Sequence, residues 1–252
     1  MITTPFYFDW TFWTAAVALL ALVLSQLPPL HVLFRGAALD VEAYDHIQIL
    51  HALGRPGATL HLILLNRGGR EIKVSAISLA FVRDGGDRFE LPGRGYYQSP
   101  TDQSPVILTS FRLPSNGEWK HIVNFFIPAS RTEEREIDQI KSAIRNDIVP
   151  RRAQPGNENV LLEAPPDLVA PAEALFRRMF RWQAGEYEVT LNIRTEPKRA
   201  SITRHYRFTV FESDTAQLVS ETKRYKIGAG VYYRDAEQVP VFLPLVPMAE
   251  RN

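Results

Sequence analysis

The residues best suited to chemistry gather early in the chain: Asp40, Glu42, Asp45, His46 and His51, with His61 on the next apolar run. Carboxylate and imidazole groups at short spacing are the donors a divalent metal takes. Alternation argues against that use, because in an extended strand Asp45 and His46 point to opposite faces. A polar strand edge accounts for them better. The rest of the chain offers no G-x-S-x-G, no G-x-x-x-x-G-K-[ST], no H-E-x-x-H and no G-x-G-x-x-G, so nucleophilic, phosphate-cradling and zinc-protease signatures are missing. Gly228 and Gly230 make only G-A-G. An enzyme is disfavoured, and no cofactor or metal is expected.

Composition narrows the classes further. The chain has no cysteine, which removes disulfides, thiolate metal sites and a cysteine nucleophile together. Lys and Arg total 29 against 28 Asp and Glu over 252 residues. That balance gives no basic face for a phosphate backbone, so nucleic acid is not an expected partner.

The elements that would position any site begin with a long apolar run. No charged residue lies between Trp10 and Phe34, and Thr11 to Leu27 reads T-F-W-T-A-A-V-A-L-L-A-L-V-L-S-Q-L, near the roughly 20 residues of a membrane span. A transmembrane helix with its exit segment is expected over 10–34, after a short tail over 1–9. Tyr7, Trp10 and Trp13 would sit at the interface, where amphipathic rings prefer the headgroups. A cleaved signal would need a basic start and a small-residue cleavage site; residues 1–9 contain no Lys or Arg, and S-Q-L-P-P-L offers no such site. The expected location is therefore the membrane, single-pass, with the lipid bilayer as one partner. Arg35 close behind the run places the following domain on the cytoplasmic side, a periplasmic or extracellular placement being the alternative. Thr11, Thr14, Ala18, Ala21 and Ser25 fall on one helix face at spacings of three and four, a stripe on which a second helix could pack.

Behind this run, residues 35–252 read as mainly β. Leu39–Leu50, Thr59–Leu65 and Glu71–Val82 look like strands, with Asn66-Arg67-Gly68-Gly69 as a hairpin turn between the last two. The apolar phase slips from Ile72 and Val74 to Ile77, Leu79 and Phe81, which predicts a bulge near Ala76. Val106–Leu113 and Trp119–Ile127 follow, the second after Pro114-Ser115-Asn116-Gly117. Tyr187, Val189, Leu191 and Ile193 alternate with polar residues, and Ile202, Tyr206, Phe208 and Val210 repeat the pattern, predicting a hairpin with a basic tip at Lys198-Arg199.

Helical insertions interrupt the strands near 131–149 and 167–182. Ser130-Arg131-Thr132-Glu133 fits a capping box, and Ile137, Ile140, Ile144 and Ile148 form a stripe ending at Val149-Pro150. In the second, Leu175, Met179 and Trp182 with Phe176 and Phe180 oppose Arg177, Arg178 and Arg181, so the arginines are candidates for contact with a surface or membrane. A short helix at Asp214–Lys223, a strand over Tyr225–Tyr233 and an extended tail over Val239–Val246 complete the expectation.

Gly185-Glu186-Tyr187-Glu188-Val189 resembles the G-x-Y-x-C entry to the sixth strand of immunoglobulin-like domains, with Val189 in the cysteine's place. The resemblance implies an immunoglobulin-like β-sandwich of the cysteine-free, fibronectin type III-like kind, with Tyr187 as a corner tyrosine bonded to backbone upstream. Such sandwiches serve adhesion and scaffolding more than catalysis. The functional expectation is a membrane-anchored binding or scaffold protein whose domain recruits another protein, or a second copy of itself. The alternatives are a ligand-responsive sensor acting through helix association and an enzyme with an unrecognised site.

Overall fold

The computed structural model describes residues 10–26, 36–84, 86–99, 101–102, 104–157, 160–233 and 240–248. In chain order they form α1 (Trp10–Gln26), β1 (Leu39–Ala43), β2 (His46–Ala52), β3 (Arg55–Asn66), β4 (Ile72–Arg83), β5 (Arg88–Tyr97), β6 (Val106–Ile107), β7 (Phe111–Leu113), β8 (Glu118–Phe126), α2 (Arg131–Arg152), α3 (Pro166–Met179), β9 (Gly185–Glu196), β10 (Ile202–Val210), α4 (Glu212–Ser220), β11 (Val241–Pro244) and β12 (Val246–Pro247). The 3₁₀ turns Lys198–Ala200 and Glu221–Ile227 complete the set.

The expected membrane span is corrected. The described helix α1 has 17 residues, about 26 Å at 1.5 Å per residue, against a hydrocarbon core of about 30 Å. Among the described residues no helix is long and apolar enough to cross a membrane. The expected single-pass membrane location falls with the span, because that location rested on it.

The expected immunoglobulin-like sandwich is corrected as well. The strands make a single, nearly closed, antiparallel barrel-like sheet in the order β11-β2-β3-β8-β5-β4-β9-β10-β12, with β1 on β3, β6 on β5 and β7 on β4. Strand β5 is the corner that prevents two separate sheets. Its first half pairs with β4 from Arg88 to Pro92, and its second half leaves to pair with β8 through a register shift between Gly93 and Gly95. The turn in direction is crowded at this point, since a Cβ on Gly93 would lie 3.1 Å from both the Ile77 carbonyl oxygen and Leu108. The segment from β6 to β7 then fills the divergence, pairing first with β5 and then with β4.

At the opposite seam β11 pairs with β2 and β12 pairs with β10, with only Leu245 between them. Residues 241–247 thus form a strap joining the two ends of the sheet. Val241, Leu243 and Leu245 point into the core, while Phe242, Pro244 and Val246 face out, as the two-residue period of a strand requires. The Leu245 amide donates to the Asp45 carbonyl at 2.7 Å and the Met248 amide to the His205 carbonyl at 2.8 Å.

Local expectations fare unevenly. The β4 register shifts between Val74 and Ala76, where the apolar phase slips. Strands β9 and β10 pair as a hairpin from Ile193–Ile202 to Gly185–Val210. The capping box forms, with the Ser130 amide donating to Glu133 and the Glu133 amide to Ser130, and α2 buries the four isoleucines. That helix runs past Pro150 to Arg152, since a proline in the last turn removes one bond without ending the helix. The strand expected over Tyr225–Tyr233 is instead the 3₁₀ turn and a compact loop.

The hairpin expected at Asn66–Gly69 does not form: β3 pairs with β1, β2 and β8, and β4 with β5, β7 and β9. The Asn66 side chain explains the outcome. Buried at 1% exposure, it donates to the carbonyls of Arg70, Leu113 and Pro114 and accepts from the Gly68 amide. The turn is thereby fastened to the β7–β8 connection instead of folding β4 back on β3. Replacing Asn66 with alanine orphans these groups, and the expected loss is about 2 kcal/mol, measured as a lower urea midpoint with an unchanged m-value.

Candidate functional site

The barrel's two ends differ in chemistry. One is covered by the helices. Trp182, just beyond α3, is fully buried among Phe81, Phe89, Tyr187 and Phe208 at centroid distances of 5.3, 5.2, 5.8 and 6.4 Å. Its indole N–H donates to the Leu50 carbonyl at 2.8 Å. Tyr187 is buried beside it, and its hydroxyl donates to the Arg181 and Gln183 carbonyls at 3.0 and 2.9 Å; burial first, and Asp87 in addition, push its phenol up to about 12.

His51 ties the same end together. It is 3% exposed, lies edge-on to Phe176 and Phe180 at 5.1 and 5.8 Å, and its Nδ1 accepts from the Gly54 amide at 3.3 Å. Nε2 therefore carries the proton, which is donated to the Leu218 carbonyl at 2.9 Å. Glu221 approaches Nε2 at 3.3 Å. Burial lowers the imidazole pKa against the smaller opposing effect of the Leu218 carbonyl, so the ring is neutral and the Glu221 contact is not an ion pair at neutral pH. Two-residue turn Leu53-Gly54, both at positive φ, seats this corner on α3, where a Cβ at Gly54 would fall 2.5 Å from the Phe176 carbonyl oxygen. Tyr225, four residues from Glu221, is buried with its hydroxyl lacking a hydrogen-bond partner among the described residues. Burial and then the Glu221 charge raise its pKa, so it keeps its proton. A histidine, a carboxylate and a phenol thus lie near one another, with the imidazole 3% exposed and both of its nitrogens bonded within the fold.

At the other end the core-facing positions become half-exposed aromatic rings. Phe111 and Trp119 stack at 4.7 Å and 19°, Tyr96 lies 5.7 Å from Trp119 and 4.8 Å from His121, and His121 meets Trp119 at 4.8 Å. The strand register builds this group: Trp119 and His121 face Leu64 and Leu62 of β3, Tyr96 faces Val123 of β8, and Phe111 faces Val74 of β4. His121 Nδ1 donates to the Tyr97 carbonyl at 3.1 Å, which fixes the ring's orientation. The alternation of Trp119, His121, Val123 and Phe125 in the sequence is the signal that could have found these residues.

The residues singled out from the sequence fall elsewhere. Tyr7 lies outside the described residues. Trp10 and Trp13 are 83% and 53% exposed on α1. Thr11, Thr14, Ala18, Ala21 and Ser25 share that helix, with the Thr14 and Ser25 hydroxyls bonded to its own carbonyls at Thr11 and Leu22. Arg177, Arg178 and Arg181 have acidic partners in Glu173 at 3.6 Å, Glu136 at 2.5 Å and Asp87 at 3.8 Å, so the arginine face is matched by carboxylates, and Arg178 links α3 to α2. In the early polar group Asp45 bonds His46 at 2.9 Å and His51 is turned into the core. Among the described residues no group of carboxylates, cysteines and histidines could hold a metal ion.

No protein-family model matches the chain, and no curated protein matches it.

The buried His51 makes stability pH-dependent. With a folded pKa below the unfolded value of about 6.5, the unfolded chain binds the proton first, so stability is full above that value and falls as pH drops through it toward the folded pKa. Melting temperatures measured from about pH 7.5 down to pH 5 should decline, and the decline should be shallower in His51→Gln.

Proposed function

We propose that this chain is a binding or scaffold protein whose β domain recruits a partner protein through the aromatic end of its barrel. The observation that carries the reading is the group formed by Tyr96, Phe111, Trp119 and His121, whose rings are only partly buried although they continue the core-facing rows of their strands. Interface hot spots draw on Trp and Tyr because such rings desolvate a large area while losing little side-chain freedom. The strands beneath hold these rings in fixed register, so partner binding would meet a prepared surface. The lack of catalytic signatures in the sequence supports the same reading.

The test is a photoreactive phenylalanine analogue placed at Tyr96 in the full chain in its native cells, compared with the same probe at Arg135 on the exposed face of α2. A discrete crosslinked species from position 96, lost when Trp119→Ala is added and absent from position 135, is the expected result. The same background from both positions would contradict the proposal. Trp119→Ala should weaken capture by about thirtyfold, the effect of a hot-spot truncation near 2 kcal/mol.

A further inference from the structure

The strap over 240–248 lies in a slot between two sheet edges, and what fills the slot shows what the slot accepts. We propose that the slot between β2 and β10 is a strand-acceptor site which a second copy of this chain fills with its own residues 240–248, so that copies join by exchanging straps.

Several features carry the inference. The strap runs antiparallel to both neighbours, pairing Val241 with Ile49, Phe242 with Gln48, Leu243 with Ile47 and Pro244 with His46 on one side, then Val246 with Arg207 and Pro247 with Tyr206 on the other. Specificity comes from three inward seats two residues apart, occupied by Val241, Leu243 and Leu245 at 5%, 3% and 4% exposure. An extended segment with apolar residues at those positions is the chemistry that fits, as in strand addition generally. The hold on β10 is short, a run of two residues. Burial of three side chains is set against the ordering of the whole segment, whose backbone must be fixed to make the pairs.

Removing the strap would uncover the edges of β2 and β10 together, with their core-facing seats, and unpaired edges are templates for another strand. The strap of a second copy satisfies each pair and each seat by identity of sequence, and exchange of an identical element is a low-cost route to a dimer.

The absence of native cysteine makes the test direct. Gln48 and Phe242 are cross-strand partners with outward side chains, a geometry within reach of a disulfide. Full-length Gln48→Cys and Phe242→Cys chains, made with tags of different mass, are mixed and oxidised at increasing concentration. The Gln48→Cys/Phe242→Cys double variant reports closure within one chain, and Arg135→Cys mixed with Phe242→Cys reports random collision. The expected result is a 48–242 link between chains that rises with concentration, identified by peptide mass, with none for 135–242. A double variant that closes only within single chains, with no 48–242 link in the mixture at any concentration, would overturn the exchange. A double variant that forms no link at all would overturn the slot itself.

Discussion

Closure of the sheet is the constraint on which the structure depends. A twelve-stranded antiparallel sheet would present two long edges of unpaired amides and carbonyls if it stayed open, and such edges both cost hydrogen bonds and invite aggregation. This chain resolves the problem with two short segments, each serving two strands. Residues 106–113 bridge the place where β5 departs from β4, and residues 241–247 bridge β2 and β10. Each device depends on backbone chemistry at a few positions: glycine at 93, where a side chain would be crowded, and inward apolar residues on alternate positions of the strap.

Closing the wall leaves two ends, and the chain treats them differently. At one end Trp182 enters among four other aromatic rings and is oriented by a hydrogen bond to Leu50, while His51 joins β2, the β2–β3 turn, α3 and the last turn of α4 through its two nitrogens and two ring contacts. The polar groups of Trp182, Tyr187 and His51 at this end are engaged inward. At the other end the same core-facing rows run out into rings that are partly open. A surface that continues a core is rigid, and rigidity is what a recognition surface gains from its scaffold.

What the sequence made legible was local. The alternation of β9 and β10, the phase slip in β4, the Ser130–Glu133 box and the isoleucine stripe of α2 each depend on neighbours a few residues away, and each is found in place. Distant partners decided the rest. Asn66–Gly69 has the composition of a hairpin turn, but the carbonyls of Leu113 and Pro114 claim the Asn66 side chain. The G-E-Y-E-V segment does place Tyr187 against upstream carbonyls, yet that corner says nothing of how β5 divides its pairing, so a sandwich was expected where a barrel-like sheet stands. The apolar run at the start was read by composition, and the described helix falls short on length. The carboxylates beside Arg178 and Arg181, Glu136 and Asp87, lie on other segments and could not be read from the helix alone. The aromatic end escaped notice because its rings come from β5, β7 and β8, and only register brings them together.

The most direct test of closure is amide hydrogen exchange at Leu245 and Met248 in the intact protein, resolved by NMR. Both amides donate across the seam, one to Asp45 beside β2 and the other to His205 of β10. If the strap closes the sheet, both are protected together and lose protection together when Leu243→Ala loosens the segment. Exchange of both at the rate of an unstructured peptide in the unmodified chain would mean that the sheet is open between β2 and β10, and the account would fail.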